Sequence, residues 1–307
     1  MIPGETLLAL VGPTASGKTE AGVAVAEALG AEVISVDSTT IYRGMDVGSA
    51  KPTPEHRSRV AHHLVDVADP DESFTVARYQ ALAREAIDDI IARGRRVLLV
   101  GGSGLYFRAI VDDLAFPPTD ASTRAALEDE AAAVGGGVLY RRLQELDPVA
   151  AGRIEPDNVR RTIRALEVAG VTGRRFSEFA ADWTRYRDER VRAAGIDLRR
   201  DVLARRIDER VRAQLDAGFL DEVRMLLDRG IERSPTARQA IGYAEVSRFL
   251  AGECSLDEAA ALIVRRTKAL ARRQTAWFRR DPRIRWFTAG EAGAADVLDD
   301  VVGYLRG

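Results

Sequence analysis

The run Leu7-Leu-Ala-Leu-Val11-Gly12-Pro-Thr-Ala-Ser-Gly17-Lys18-Thr19 decides the fold. Five apolar residues in a row suit a strand buried on both faces. The eight that follow fit G-x-x-x-x-G-K-[ST], a phosphate-cradling loop. Beyond them, Ala21, Val23, Ala24, Val25, Ala28 and Leu29 recur at helical spacing, and Gly30 closes the helix. A strand, a glycine loop and a helix N-terminus in succession aim backbone N–H groups and the positive end of a helix dipole at one point. The expected phosphate-binding residues are therefore Gly12, Pro13, Thr14, Ala15, Ser16, Gly17, Lys18 and Thr19. Lys18 supplies a point charge, and the Thr19 hydroxyl is placed to ligate a phosphate-bound Mg²⁺.

Working outward, Glu32-Val-Ile-Ser-Val36 reads as a second buried strand, ending in Asp37-Ser38-Thr39-Thr40. Open α/β sheets place chemistry just past the carboxyl ends of their strands, which makes Asp37 a candidate; a capping Asp is the other reading. His62 and His63 are adjacent, and neighbours in a strand point to opposite faces, which argues against a shared metal. Thr75 to Ala92 has helical periodicity. Val97-Leu-Leu-Val100 is a third strand, followed by Gly101-Gly102-Ser103-Gly104 and a helix from about Leu105. A nucleotide hydrolase needs an acid at such a strand end to hold Mg²⁺, and glycines stand there instead.

Alternating strands and helices predict a P-loop parallel sheet flanked by helices. The pattern breaks at Phe116-Pro117-Pro118. From there Arg124–Ala133, Leu139–Leu146 and Asn158–Ala169 are helical, and Gly195-Ile-Asp-Leu198 resumes a strand. The expected organisation is a core over 1–116, a helical insertion over 117–193, and core completion with C-terminal helices over 194–307. Four helices, Arg200–Ala217, Leu220–Arg229, Thr236–Ala251 and Leu256–Arg280, are expected to complete the chain, the last opened by a capping box at Ser255–Glu258.

Of 307 residues, 45 are Lys or Arg and 47 are Asp or Glu, a formal charge of −2 that says less than its distribution. Only Lys18, Lys51 and Lys268 are lysines. Coding bias explains surface arginine, but a lysine survives such bias where a planar fork will not serve, and two of the three precede residue 52, beside the expected phosphates. The last helix and its exit carry Arg265, Arg266, Lys268, Arg272, Arg273, Arg279, Arg280, Arg283 and Arg285 against Asp281 alone, interleaved with Trp277, Phe278 and Trp286. A solvated face is the bland explanation; clustered arginine with aromatics is better explained by contact with a nucleic-acid backbone. One cysteine, Cys254, excludes a disulfide framework. No apolar run approaches 18 residues, so no membrane span is expected and the cytoplasm is the expected location.

Several runs together resemble the tRNA dimethylallyltransferase (tRNA isopentenyltransferase) family. They are Gly12–Thr19, Ile34-Ser-Val-Asp-Ser38, Ile41-Tyr-Arg-Gly-Met-Asp46 with Gly48-Ser-Ala-Lys-Pro52, Val100-Gly-Gly-Ser-Gly-Leu-Tyr106, Asn158–Glu167, Gln239-Ala-Ile-Gly-Tyr243 and Arg272-Arg-Gln-Thr-Ala-Trp277. They occur in family order over nearly the whole chain. The resemblance implies transfer of a dimethylallyl group from dimethylallyl diphosphate to N6 of the adenine 3′ to the anticodon, with Mg²⁺ as cofactor and the anticodon stem-loop of tRNA as partner. It implies a monomer with Asp37 as base and Arg210 on the diphosphate. Its tRNA contacts map to Asp37, Ser38, Thr39, Thr40, Ser103, Arg124, Arg160, Arg161, Thr162, Ile163 and Arg164. Many relatives carry Gln at Thr40 and Thr at Ser103. Residue by residue, Arg210 has another reading as the i, i+4 neighbour of Arg206 on a solvated helix face. The rival functions are an ATP-using small-molecule kinase and a non-catalytic nucleotide-binding RNA protein.

Overall fold

The structure, a computed structural model, describes residues 6–181, 186 and 191–307. Its first half contains β1 (Leu7–Val11), α1 (Lys18–Leu29), β2 (Ala31–Val36), α2 (Pro54–Arg59), β3 (His62–His63), α3 (Val76–Ala92), β4 (Arg96–Gly101) and α4 (Gly104–Val111). Next come α5 (Ala121–Val134), α6 (Gly136–Leu146), α7 (Pro148–Ala151), α8 (Val159–Thr172) and α9 (Phe176–Ala181). The chain then runs through β5 (Val191–Leu198), α10 (Arg200–Asp216), α11 (Phe219–Asp228), α12 (Tyr243–Leu250), α13 (Leu256–Phe278), β6 (Ile284–Ala289) and α14 (Leu298–Arg306).

The six strands form one parallel sheet in the order β3-β2-β4-β1-β5-β6. Side chains alternate across a strand, and β1 divides accordingly. Leu7, Ala9 and Val11 enter one core with Ile34, Leu99, Ile87 of α3 and Phe107 of α4. Leu8 and Leu10 enter the other with Val23 and Ala26 of α1 and Val301 and Leu305 of α14. Double-sided burial explains why the strands read as unbroken apolar runs. Because β1 lies between β4 and β5, its carboxyl end opens at the point where the strand order reverses, the usual crevice for a ligand.

The chain divides into two compact units, Met1–Val111 with Arg187–Gly307, and Asp112–Tyr186. The helical unit has its own core, built on Leu127, Leu139, Leu143, Ile163 and Leu166. Strand β5 starts at Val191, inside the range 117–193 expected to be insertion.

Two features at the C-terminal end differ from the sequence expectation. After α13 the chain does not end in helix alone: Ile284–Ala289 pairs in parallel with β5, and α14 follows. As an edge strand it buries Ile284, Phe287 and Ala289 while Arg285 and Thr288 face solvent, and its start overlaps a basic run. The expected helix Thr236–Ala251 is a 3₁₀ turn at Ala237–Gln239 followed by α12. Gly242, at φ 95°, breaks it. The capping box at α13 is present: Ser255 Oγ accepts from Glu258 N at 3.2 Å, and Glu258 Oε2 accepts from Ser255 N at 2.8 Å.

Candidate active site

The loop between β1 and α1 has Ala15 at φ 62° and Gly17 at φ 87°. Backbone in this left-handed conformation is the kind that can turn neighbouring N–H groups toward an anion. Other elements hold the loop from outside. Gln274 on α13 accepts from Thr14 N at 2.8 Å, Arg206 Nε on α10 donates to Ala15 O at 2.9 Å, and Ala294 N donates to Ser16 O at 2.9 Å.

Lys18 opens α1 and is only 8% exposed. Its ammonium donates back to Pro13 O and to Ser16 Oγ, the latter at 3.2 Å. Burial and then the neighbouring Arg210 charge push its pKa down to about 7, against an opposing pull from Asp37. Arg210, half-buried on α10, is lowered by burial, with Asp37 again opposing. Its one hydrogen bond among the described residues is a long 3.4 Å donation to Ser49 O. Neither cation has a carboxylate ion-pair partner among the described residues. A charge removed from water costs several kcal/mol unless it is paired, so two together define a site built for an anion.

Asp37 follows β2. Its Oδ1 accepts from Thr39 N at 2.8 Å and from Thr39 Oγ1 at 2.6 Å. No helix begins there, so the carboxylate closes a local turn and is not a helix cap. Oδ2 has no hydrogen-bond partner among the described residues. Ser38 and Thr39 are half-buried, but Thr40 turns inward, 5% exposed, its hydroxyl 2.9 Å from Ser35 Oγ. Ser103 is half-buried and its N–H donates to Val36 O at 3.1 Å, which brings the β4–α4 loop beside the Asp37 strand end. Glycine ends β4 for a steric reason: a Cβ on Gly101 would lie 2.1 Å from Val36 O. Beneath this end Tyr79 OH donates to Ser35 O at 2.8 Å, and its ring lies 4.2 Å from that of Tyr106. Burial raises both phenols far from ionisation.

Lys51 does not face the phosphate loop's needs. It donates to Tyr42 O at 2.8 Å, to Asp66 Oδ1 at 2.6 Å and to Asp46, so its charge is neutralised locally. The loop after Asp46 is held by Glu222, whose carboxylate accepts from the backbone N–H of Asp46, Val47 and Gly48 and from Tyr243 OH at 2.8 Å.

In the helical unit the expected RNA contacts separate into three kinds. Arg160 and Arg161 are exposed on α8. Thr162 and Ile163, at 0% and 6% exposure, face inward, so their side chains are not available to a ligand in this structure. Arg124 and Arg164 both bind the fully buried Glu167, at 2.7 and 3.0 Å. That carboxylate also accepts from Asp120 N at 2.9 Å. Burial would raise its pKa, yet Arg124, the Asp120 N–H and Arg164 leave it lowered.

The basic tail is less free than its composition suggests. Arg266 pairs with Glu245, Lys268 with Asp208 at 2.8 Å, Arg279 with Asp197 at 2.7 Å, and Arg283 with Asp281 at 2.7 Å. Arg285 lies over the Phe287 and Tyr304 rings. Arg272 and Arg273 are exposed and have no ion-pair partner among the described residues. His63 lies 2.7 Å from Glu32 and His62 2.8 Å from Val60 O, so the two rings have separate partners. Among the described residues no three His, Cys, Asp or Glu side chains cluster to hold a metal, and no helix is long and apolar enough to cross a membrane. Sequence reasoning assigned no role to Gln274 or Glu222; nothing short of the fold connects them to loops more than 170 residues away.

Fold and site together define a P-loop α/β protein with two cations near the end of its central strand and a carboxylate at the end of β2. An IPP transferase family model matches residues 40–281. The chain is 49% identical over 295 residues to the tRNA dimethylallyltransferase of Streptomyces coelicolor, covering 96% of this chain and 94% of that one. It is 47% identical to that of Geobacter sulfurreducens, covering 91% of each. The crystal structure of the full-length tRNA isopentenylpyrophosphate transferase from Bacillus halodurans superposes with a TM-score of 0.71 at 39% identity, over 98% of this chain and 97% of that one. The chain belongs to the IPP transferase family.

Proposed function

We propose that this enzyme moves the dimethylallyl group of dimethylallyl diphosphate to N6 of an adenine in tRNA, the one following the anticodon, and releases diphosphate. The observation that carries this reading is two neighbouring cations, the buried Lys18 and the half-buried Arg210, with no carboxylate ion-pair partner among the described residues, beside a phosphate loop and near Asp37. The diphosphate would sit on the loop N–H groups, Lys18 and Arg210. Charge grows on the leaving oxygen as the C–O bond breaks, and donors preset at that point stabilise it. The N6 amine attacks the freed carbon and forms the C–N bond. Its surplus proton goes to Asp37, whose Oδ1 is held by Thr39 while Oδ2 is open to accept it.

Mg²⁺ fits the oxygen donors here, and Thr19, half-buried on the first turn of α1, would hold it together with the diphosphate. When bound, the ion supplies neutralisation of the leaving charge. A stacked anticodon-loop base must leave its stack to react. Arg160 and Arg161 on one unit, and Arg272 and Arg273 on the other, are the exposed cations suited to the RNA backbone. Transfer of a carbon group also accounts for β4 ending in glycine where a phosphoryl-transfer enzyme carries an acid. We place the enzyme in the cytoplasm, as a monomer.

The test is a comparison of two labels. The protein is incubated with tRNA and either dimethylallyl diphosphate labelled in its carbon chain or ATP labelled in its γ-phosphate. Label from the first should appear on adenine N6 and none from the second should move; phosphoryl transfer from ATP would replace this reading with a kinase.

A further inference from the structure

Gln274 stands one turn before Trp277 on the same face of α13. Its amide oxygen accepts from Thr14 N at 2.8 Å, a bond spanning 260 residues of sequence. The partner's N–H fixes the orientation of the amide, oxygen toward the phosphate loop. The amide nitrogen then rests on the β4–α4 loop: a Cβ added to Gly102 would lie 2.3 Å from Gln274 Nε2, and one added to Gly104 would lie 2.0 Å from Trp277 Cδ1. No side chain other than glycine leaves room for this helix face. The same β4–α4 loop is tied by Ser103 N to Val36 O, the residue before Asp37.

One side chain therefore touches both the loop assigned to the donor and the loop beside the assigned base. We propose that Gln274 is a positioning residue: it sets the distance between the phosphate loop and the Asp37 strand end, and so the approach of the acceptor amine to the donor carbon. The bond also removes Thr14 N–H from the donors available to a phosphate, leaving the remaining loop amides, Lys18 and Arg210 to hold it. This inference rests on the donor assignment made above. Misplacement on the scale of one ångström costs about a hundredfold in rate even when no catalytic group is removed.

Two variants separate positioning from packing. Gln274→Met keeps length and bulk over Gly102 and loses the acceptor for Thr14. Gln274→Glu keeps that acceptor and adds a negative charge beside the anion site. Steady-state kinetics with dimethylallyl diphosphate and tRNA are measured on the full chain, with melting temperature alongside. Gln274→Met should lower kcat by about ten- to a hundredfold with melting and tRNA affinity unchanged. Gln274→Glu should recover kcat to within about threefold of the parent, while KM for the donor rises about tenfold through like-charge repulsion. If both variants stay within twofold of the parent, or both lose kcat in step with melting temperature, the positioning role is overturned and Gln274 is a packing residue. Failure of the unmodified protein to transfer label would instead remove the donor reading and this inference with it.

Discussion

If Lys18 holds the donor's diphosphate as proposed, donor binding depends on pH. With a pKa of about 7, its amine is about nine-tenths neutral at pH 8 in the free protein and about one-tenth neutral at pH 6. A diphosphate placed against it restores the charge and moves the pKa back toward 10.5. Binding should then take up about 0.9 proton at pH 8 and about 0.1 at pH 6, and affinity should weaken by up to about tenfold per pH unit above 7. Isothermal titration in buffers of different ionisation enthalpy reads the uptake directly. Lys18→Met reports the protonation of the diphosphate itself, and the difference belongs to Lys18. The same shift acts on stability without ligand. Below pH 7 the charge is present folded and unfolded, and the burial cost is complete. From 7 to 10.5 the unfolded chain holds a proton that the folded chain lacks, so stability rises with pH, a slope that Lys18→Met should lose. Equal proton uptake by the two proteins at pH 8 would refute the argument.

Asp37→Asn keeps an acceptor for Thr39 and should leave donor and tRNA affinity within a few-fold while turnover falls by about 10²–10⁴; near-normal turnover in a quenched time course would reduce Asp37 to a turn former. Neutralising Arg160 and Arg161 should weaken tRNA binding and remove about one unit of salt slope per lost phosphate contact, read from affinity across a salt series with unchanged melting. Glu167→Ala strands the Asp120 N–H and two arginines around a buried cavity and should cost about 2–4 kcal/mol in urea unfolding; a loss under 0.5 kcal/mol would contradict the network. Gly48→Ala should cost about 1–3 kcal/mol, because its Cβ would lie 2.3 Å from the Phe219 ring and 2.6 Å from that of Tyr243.

What was legible in the sequence was local. The phosphate loop, its strand and its helix are contiguous, and their patterns stand without tertiary help. Asp37 is visible in the sequence as a strand-end acid, whereas the turn it closes with Thr39 is not. The tail illustrates the limit. Counting charges along residues 265–285 gave nine cations to one acid, whereas Arg266, Lys268 and Arg279 meet carboxylates on α12, α10 and β5. Strand β6 is obscured because it starts inside that run, with Arg285 as its second residue, and it buries only Ile284, Phe287 and Ala289. In α8 the helical period places 160 and 161 outside and 162 and 163 inside, so a single contact run over 160–164 does not match the helix.

In the proposed reaction Lys18 and Arg210 hold the donor's diphosphate while Asp37 takes the proton from the attacking N6 amine. A crystal structure with a non-hydrolysable dimethylallyl diphosphate analogue and an anticodon stem-loop tests it most directly. Diphosphate oxygens are expected within hydrogen-bond distance of both cations, and adenine N6 within reach of Asp37 Oδ2. A diphosphate bound elsewhere, with Lys18 still folded onto Pro13 O, would contradict it.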